Sequence, residues 1–528
     1  MIIQSIEDIR KAAESGLYKI APVSLEIMAD IRTPIEVLKI LKGVSGHCFL
    51  LESVMDCEKW GRYSFLGFRP KLAVACKDGR VRIDGPARDG AAVTAQSSEQ
   101  GSREMITDKP AEIVREILDA HRSCRFEGMP PFTGGLVGYF SYDYLKYPEP
   151  SLRLDAADSE GFRDFDLMLF DKVITFDNFR QKIILIGSVY LDAEAGLDAE
   201  VARVSGELGE LAALIRDGGS LTLNGDGGSL TDRFGGRMTT EIKAMFGQEE
   251  FCGMVEKAKW HIREGDVFQI VLSNRLEAGF EGSLLNAYRM LRTINPSPYM
   301  FYFGGGDIEV AGASPETLVR LEDSELYTFP LAGTRPRGGD REEDARFERE
   351  LLADPKELAE HDMLVDLGRN DLGRVSKFGS VKVEKLHEVL RFSHVMHIGS
   401  TVCGSLREDM DALDALEAVL PAGTLSGAPK LRACQLINDL EGNKRGIYGG
   451  AFGYLDLAGN MDMCIAIRLA YKKNGKVCVR SGAGIVADSV PLSEYRECVN
   501  KALAVVNALK IAEDMDVDGI GTKGVNGK

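Results

Sequence analysis

The chain has 528 residues, 44% of them hydrophobic and 27% charged, with a formal net charge of −17. That length exceeds one ordinary core and calls for several domains or one large composite. The acidic balance excludes nucleic acid, which needs a basic face, and it makes any anionic ligand depend on local arginines or a metal cation.

From the start of the chain, MIIQSIEDIRKAAESG is polar and has no apolar signal core. The longest apolar stretches, such as KIILIGSVYL at 182–191, are too short for a bilayer. The ten cysteines form no CxxC pair, which reads as reduced thiols of the cytosol. A soluble cytoplasmic protein, contacting neither membrane nor nucleic acid, is the expectation.

Residues 1–190 carry short β-type runs (HCFLLES, RYSFLGF, GGLVGYFSY, DLMLFDKVITF) punctuated by Gly, Asp and Pro, with one helical stretch at 111–121. They predict a first α+β domain. Residues 191–244 predict a helix at about 196–216 and a Gly-rich linker over 217–237. Residues 245–510 predict a second α+β domain. Its strands fall at 267–275, 299–303, 317–321, 447–456, 462–471 and 477–480, and its helices at 341–367, 411–419, 429–440 and 493–510. Residues 511–528 are polar and Gly-rich, a flexible tail. Strict strand–helix alternation is missing, so a doubly wound nucleotide fold is not expected.

Three constellations in the second half could carry chemistry. Glu357 and Glu360, and again Glu494 and Glu497, sit three apart on predicted helices and share a face. Such pairs can converge on a hard cation such as Mg²⁺, or can be ordinary solvated helix faces. Four of the seven histidines, His361, His387, His394 and His397, fall within 361–397. No third zinc ligand accompanies His394 and His397, which leaves an acid–base histidine or a hydrogen-bonded structural one. Gly-rich turns at Gly333-Thr334, 423–430 and 481–484 could bind carboxylates through backbone N–H groups, with Arg468 as a bidentate partner, or could simply be tight turns. In FPLAGTRPRG (329–338), two arginines follow the glycine at once, as a turn wrapped around an anion would require. A GxSxG elbow is missing, which excludes that form of acyl transfer.

Together these segments resemble the chorismate-utilising enzymes, most closely the large subunits of anthranilate synthases. The resemblance runs through LLES (50–53), GDVFQIVLSNR (265–275), NPSPYMFYF (295–303), ASPE (313–316), PLAGTRPRG (330–338), KELAEHDMLVDLGRNDLGRV (356–375), FSHVMH (392–397), PAGTLSGAPK (421–430), IYGGAFGY (447–454), CIAIR (464–468) and SGAGIVADSVPLSEYRE (481–497). It implies an α+β fold of two antiparallel sheets packed across each other, with helices outside and a cleft for chorismate. Mg²⁺ held by Glu360 and Glu497, with Glu357 and Glu494 close by, is implied too. Gly333, Thr334, Lys430, Tyr448, Arg468, Gly482, Ala483 and Gly484 would bind the substrate. The catalytic set would be Glu316 as general acid, His397 for pyruvate elimination, and Gln269 and Thr424 beside them.

Gln269 stands where water-adding relatives carry a lysine base, and Ala332 where para-aminating relatives carry a lysine. The resemblance therefore implies ortho-amination by ammonia from a separate glutamine amidotransferase subunit, and anthranilate as product. Glu52, Ser53, Pro298, Tyr299 and Met300 resemble a site for tryptophan as feedback inhibitor. An aminodeoxychorismate synthase and a catalytically silent, tryptophan-sensing module are the alternatives.

Overall fold

The β-type runs pair into two large antiparallel sheets in the computed structural model, which describes residues 4–53, 61–85, 96–97, 101–218, 234–391 and 395–515. His394, Cys57, most of the expected linker and the end of the tail lie outside these residues. In the first sheet, Ile20–Met28, Lys182–Tyr190, Lys172–Asp177, Tyr63–Phe68 and Cys48–Glu52 lead into Tyr299–Gly304, Ile308–Ser314, Leu469–Lys473, Lys476–Ile485 and Gln269–Gly282. In the second, Leu331–Pro336, Val395–Ser405, Glu325–Thr328, Thr317–Glu322, Met461–Ile465 and Ala451–Asp456 lead into Gly135–Phe140, Phe165–Phe170, Leu72–Lys77 and Arg80–Asp84.

Each sheet is therefore shared between the two halves of the chain. The halves meet where Cys48–Glu52 pairs with Tyr299–Gly304, and where Gly135–Phe140 pairs with Ala451–Asp456. Between the sheets lies an aromatic layer that includes Phe49, Phe65, Phe132, Phe301 and Phe452. The Phe301 and Phe452 rings, one from each sheet, stack with centroids 4.2 Å apart. Helices cover the outer faces. Val37, Leu208 and Val505 pack on the first sheet, and Val114, Val365 and Leu416 on the second.

One run expected as a single strand splits at a passage between the sheets. The stretch expected as one strand over 462–471 is two, Met461–Ile465 in the second sheet and Leu469–Lys473 in the first. Arg468, with φ at 49°, turns the chain between them. Ile308–Ser314 and Thr317–Glu322 also lie in different sheets, with Pro315 and Glu316 in the passage.

The helix expected over 341–367 is likewise two, Arg341–Leu352 and Pro355–Gly373. Pro355 cannot continue the first helix, and Asp354 in extended geometry accepts from the Lys356 and Glu357 amides to start the second. Residues near the expected linker are more ordered than composition suggests. The helix Leu197–Asp217 runs up to it, Phe234 is buried in the first sheet's core, and Gly236–Met238 pairs with 280–282. The last helix continues through Glu513, into the stretch expected as tail.

Candidate functional site

A cleft of about 780 Å³ opens beside the passages between the sheets. Helix Pro355–Gly373 brings Glu357 and Glu360 to it, and helix Pro491–Glu513 brings Glu494 and Glu497. Gln269, Glu316, Gly333, Thr334, His397, Thr424, Tyr448, Arg468, Gly482 and Gly484 also line it. Fourteen of the sixteen residues expected in the catalytic, substrate and metal sets thus share one cavity.

The two others stand elsewhere. Ala483 alternates to the opposite face of its strand, where it is fully buried in an apolar cluster with Ala433, Leu436 and Ile437. Lys430 Nζ donates to Asp371 at 2.7 Å and to the Val419 carbonyl at 3.0 Å, behind the cleft wall.

Glycine is required at two points of the wall by geometry. Gly333 has φ +67°, and a Cβ there would stand 3.0 Å from Leu351 and 3.2 Å from a Glu357 oxygen. A Cβ on Gly484 would come within 2.8 Å of Gln269 Nε2, so its absence gives that side chain its place.

The Gly333 carbonyl lies 2.8 Å from His397 Nδ1. A carbonyl can only accept, so Nδ1 carries the proton and Nε2 is the basic nitrogen. Burial, with Arg468 nearby, holds the ring below its usual pKa despite the Gly333 contact, so it is neutral at pH 7. Burial pushes the Glu316 carboxyl up to about 7 against the pull of the Thr424 hydroxyl, 3.1 Å away, and of Arg468 and Lys501. Arg468 is itself lowered by burial, and no carboxylate among the described residues forms an ion pair with it. A buried guanidinium left in this way favours an incoming carboxylate.

The glutamates feel one another. Glu360 is raised by burial and then by Glu357, and Glu494 by burial and by Glu497, which Ser489 opposes. No three acidic, histidine or cysteine side chains among the described residues converge into a ready-made metal cage. Glu497 pairs with Lys501 at 2.7 Å, and Glu357 with Arg335 at 3.3 Å.

The arginines of FPLAGTRPRG serve the protein rather than a ligand. Arg335 also pairs with Asp354, and Arg337 with Asp344 at 2.6 Å. Spacing did not reveal these partners, because Asp344 lies in the first turn of Arg341–Leu352, while Asp354 and Glu357 belong to the start of the helix after the break at Pro355. His361 and His387 are structural, bonded to Ser400 at 2.6 Å and Asp362 at 2.7 Å. Lys501 was missed as a cleft residue. It stands one turn after Glu497, and its ammonium donates to the Gly482 carbonyl at 3.2 Å. Its i, i+4 spacing from Glu497 was the available signal.

A second, smaller cavity of about 90 Å³ lies between the sheets. Glu52, Ser53, Pro298, Tyr299 and Met300 all line it. Met300 is registered opposite Glu52, so neighbouring strands bring the two motifs together. Glu52 accepts from Arg292 and Tyr288, and Tyr299 donates to Asp462 across the gap at 2.8 Å.

The chain is similar along its length to proteins of known family. It is 42% identical over 520 residues to anthranilate synthase component 1 of Acetivibrio thermocellus, covering 98% of this chain and 100% of that one. To the component 1 of Pseudomonas aeruginosa it is 43% identical over 508 residues, covering 96% and 99%. The crystal structure of anthranilate synthase component I from Streptococcus pneumoniae TIGR4 superposes with a TM-score of 0.70 at 34% identity, covering 91% of this chain and 98% of that one. This bears out the two-sheet α+β expectation. The menaquinone-specific isochorismate synthase of Escherichia coli shares the fold at 20% identity and a TM-score of 0.64, covering 96% and 100%. A model of the chorismate binding enzymes matches residues 69–507, a span that takes in the whole cleft, and on this and on the relatives the chain belongs to the chorismate binding enzyme family.

Proposed function

We propose that this chain aminates chorismate at C2 and eliminates pyruvate to give anthranilate, the first step of tryptophan biosynthesis. One observation carries the reading. A single cleft gathers a carboxyl titrating near 7, a neutral histidine, a guanidinium without a carboxylate partner and two glutamate pairs, with Gln269 and Ala332 where related chemistries use lysine. The names of the relatives support it.

Protonated Glu316 donates to the C4 hydroxyl, which leaves as water while ammonia bonds to C2 and the ring double bonds shift. His397 Nε2 then takes the C2 proton as the bond from C3 to the enolpyruvyl oxygen breaks and the ring becomes aromatic, and the enolate released gains a proton on its methylene carbon and departs as pyruvate. Arg468, Tyr448 and the Gly333-Thr334 turn orient the carboxylates, with the 482–484 backbone beside them. Glutamate pairs from two helices, with Glu360 and Glu494 raised first by burial and then by the neighbouring carboxylate, fit a hard dication. Glu360 and Glu497 would hold Mg²⁺, with Glu357 and Glu494 beside them, and when bound it would offset the charge of the ring carboxylate.

Ammonia comes from a separate glutamine amidotransferase subunit, in keeping with the relatives' designation as component 1. Nine described cysteines without a disulfide suit the cytosol. The cavity around Glu52 and Ser53 takes tryptophan as feedback inhibitor.

The test is incubation with chorismate, Mg²⁺ and ammonium at high pH, with and without tryptophan, read by product fluorescence and chromatography. Anthranilate and pyruvate, dependent on Mg²⁺ and suppressed by tryptophan, are expected. A para-amino product would overturn the reading of Gln269 and Ala332. Absence of turnover in folded protein, even with the amidotransferase, would favour a silent module.

A further inference from the structure

Against the cleft wall, to which Arg480 contributes, lies a group of ions that the proposed chemistry does not use. Glu441, Arg445 and Arg480 have side chains no more than 1% exposed. Arg445 binds Glu441 through Nε at 3.0 Å and Nη2 at 2.6 Å, and Arg480 Nη2 binds it at 2.7 Å. The Ser273 amide and hydroxyl complete the carboxylate's partners at 2.8 and 3.0 Å. Burial alone would raise Glu441, but the two guanidinium groups hold it below its usual value.

Such a triad is a poor way to gain stability. Desolvating three charges costs several kcal/mol each, and apolar replacements of buried ion groups are often neutral or stabilising. The outward hydrogen bonds of Arg445 point to a different role, because they lead to the turn and the strand that carry cleft residues. Arg445 Nη1 donates to the Leu425 carbonyl at 2.6 Å, the last residue of the 3-10 turn Gly423–Leu425. Thr424, in the middle of that turn, places its hydroxyl on Glu316. Arg445 Nη2 donates to the Val271 carbonyl at 2.8 Å, on the strand that carries Gln269, and its guanidinium lies 5.8 Å from the Tyr448 ring centroid. The turn has a second tie, from the Val271 amide to the Ser426 carbonyl at 2.9 Å.

We propose that Arg445, clamped by Glu441, is a positioning residue for the general acid: it holds the Gly423–Leu425 turn so that the Thr424 hydroxyl stays on Glu316. The inference rests on the reading of Glu316 as the acid. Arg445 touches no reacting atom. Without its grip the Leu425 carbonyl loses a charged donor, the turn relaxes and Thr424 leaves the carboxylate. The other charged groups around Glu316 are Arg468 and Lys501, with Glu360 and His397 on the cleft walls and Asp371 lining the small pocket behind it. None of them sits on the turn, so their influence persists in an Arg445 variant.

Arg445→Met leaves Glu441 paired with Arg480 and Ser273, so no buried charge is orphaned. The experiment measures the alkaline limb of the rate, corrected for free ammonia, in Arg445→Met, in Thr424→Val and in the double variant. Each single variant is expected to move the limb up by about one pH unit, the worth of one hydrogen bond to a charged group, and the double variant no further. A limb left in place by Arg445→Met in folded protein, or shifts that add, would overturn the proposal. The pH midpoint at which Glu316→Gln begins to change thermal stability reads the same carboxyl without catalysis. If that midpoint rises in the Arg445→Met background while the rate shows no limb, the general-acid reading fails and the positioning role stands. If the midpoint does not move, the positioning role fails. Arg445→Lys, which keeps the charge but cannot reach Glu441, Leu425 and Val271 together, carries the same test if the methionine variant does not fold.

Discussion

With its proton on Nδ1, facing the Gly333 carbonyl, His397 keeps Nε2 as the basic nitrogen, and burial holds the ring neutral. Replacing His397 with Met is expected to lower anthranilate output about 10²–10⁴-fold while the aminated, pyruvate-bearing intermediate accumulates on chromatography. Undiminished output with no intermediate would remove His397 from the second step. Glu316 offers a prediction in stability. Its folded carboxyl titrates near 7 instead of the ordinary 4.5, so it binds a proton more tightly folded than unfolded. The cost of ionising it in place is absent below about pH 4.5, grows as pH rises and is complete above about 7. Glu316→Gln is therefore expected to melt higher than wild type at pH 8, with the gain shrinking toward pH 4.5. A melting difference independent of pH would contradict the burial argument.

The elements of the site were unequally legible. The glutamate pairs, the Gly-rich turns and the helix beginning at Asp411, where a capping box forms, follow from local spacing and local hydrogen bonds. The break at Pro355 was also readable, since Asp354-Pro355 is a helix start, although periodicity over 341–367 favoured one helix. The division of 462–471 between two sheets was not readable. It depends on Arg468 adopting a positive φ, which only long-range pairing on both sides imposes. The strands Lys382–Arg391 and Val395–Ser405 were missed because the charged residues of the first hide its alternation. At the element scale, the register of Lys476–Ile485 against Gln269–Gly282 sets Gly484 opposite Val271 and leaves room for Gln269. Gly484→Ala would meet the far end of the Gln269 side chain, which can swing aside. The expected result is a folded protein with a nearly unchanged melting temperature and a clear loss of kcat/KM. Unaltered kinetics would mean that Gln269 has no need of its present position.

On the scale of the whole molecule, the large cleft and the 90 Å³ cavity are built from the same two sheets. In the small cavity Glu52 and Ser53 of the first half and Tyr299 and Met300 of the second share one wall, and Tyr454 and Asp462 of the other sheet face them. Ser53→Phe places a large ring in a space of that size, so inhibition by tryptophan is expected to fall strongly while uninhibited turnover persists. Inhibition equal to wild type would show that tryptophan acts elsewhere.

The sharing of both sheets has a consequence for synthesis of the chain. Cys48–Glu52 emerges early, yet one of its edges waits for Tyr299–Gly304, and Gly135–Phe140 waits for Ala451–Asp456. At ordinary translation rates the first of these strands stays half-paired on the ribosome for roughly 13–50 s. During that interval it offers an apolar edge to any other nascent chain. A chaperone that covers edges at that stage is expected to raise the yield of native protein more than one that acts after release.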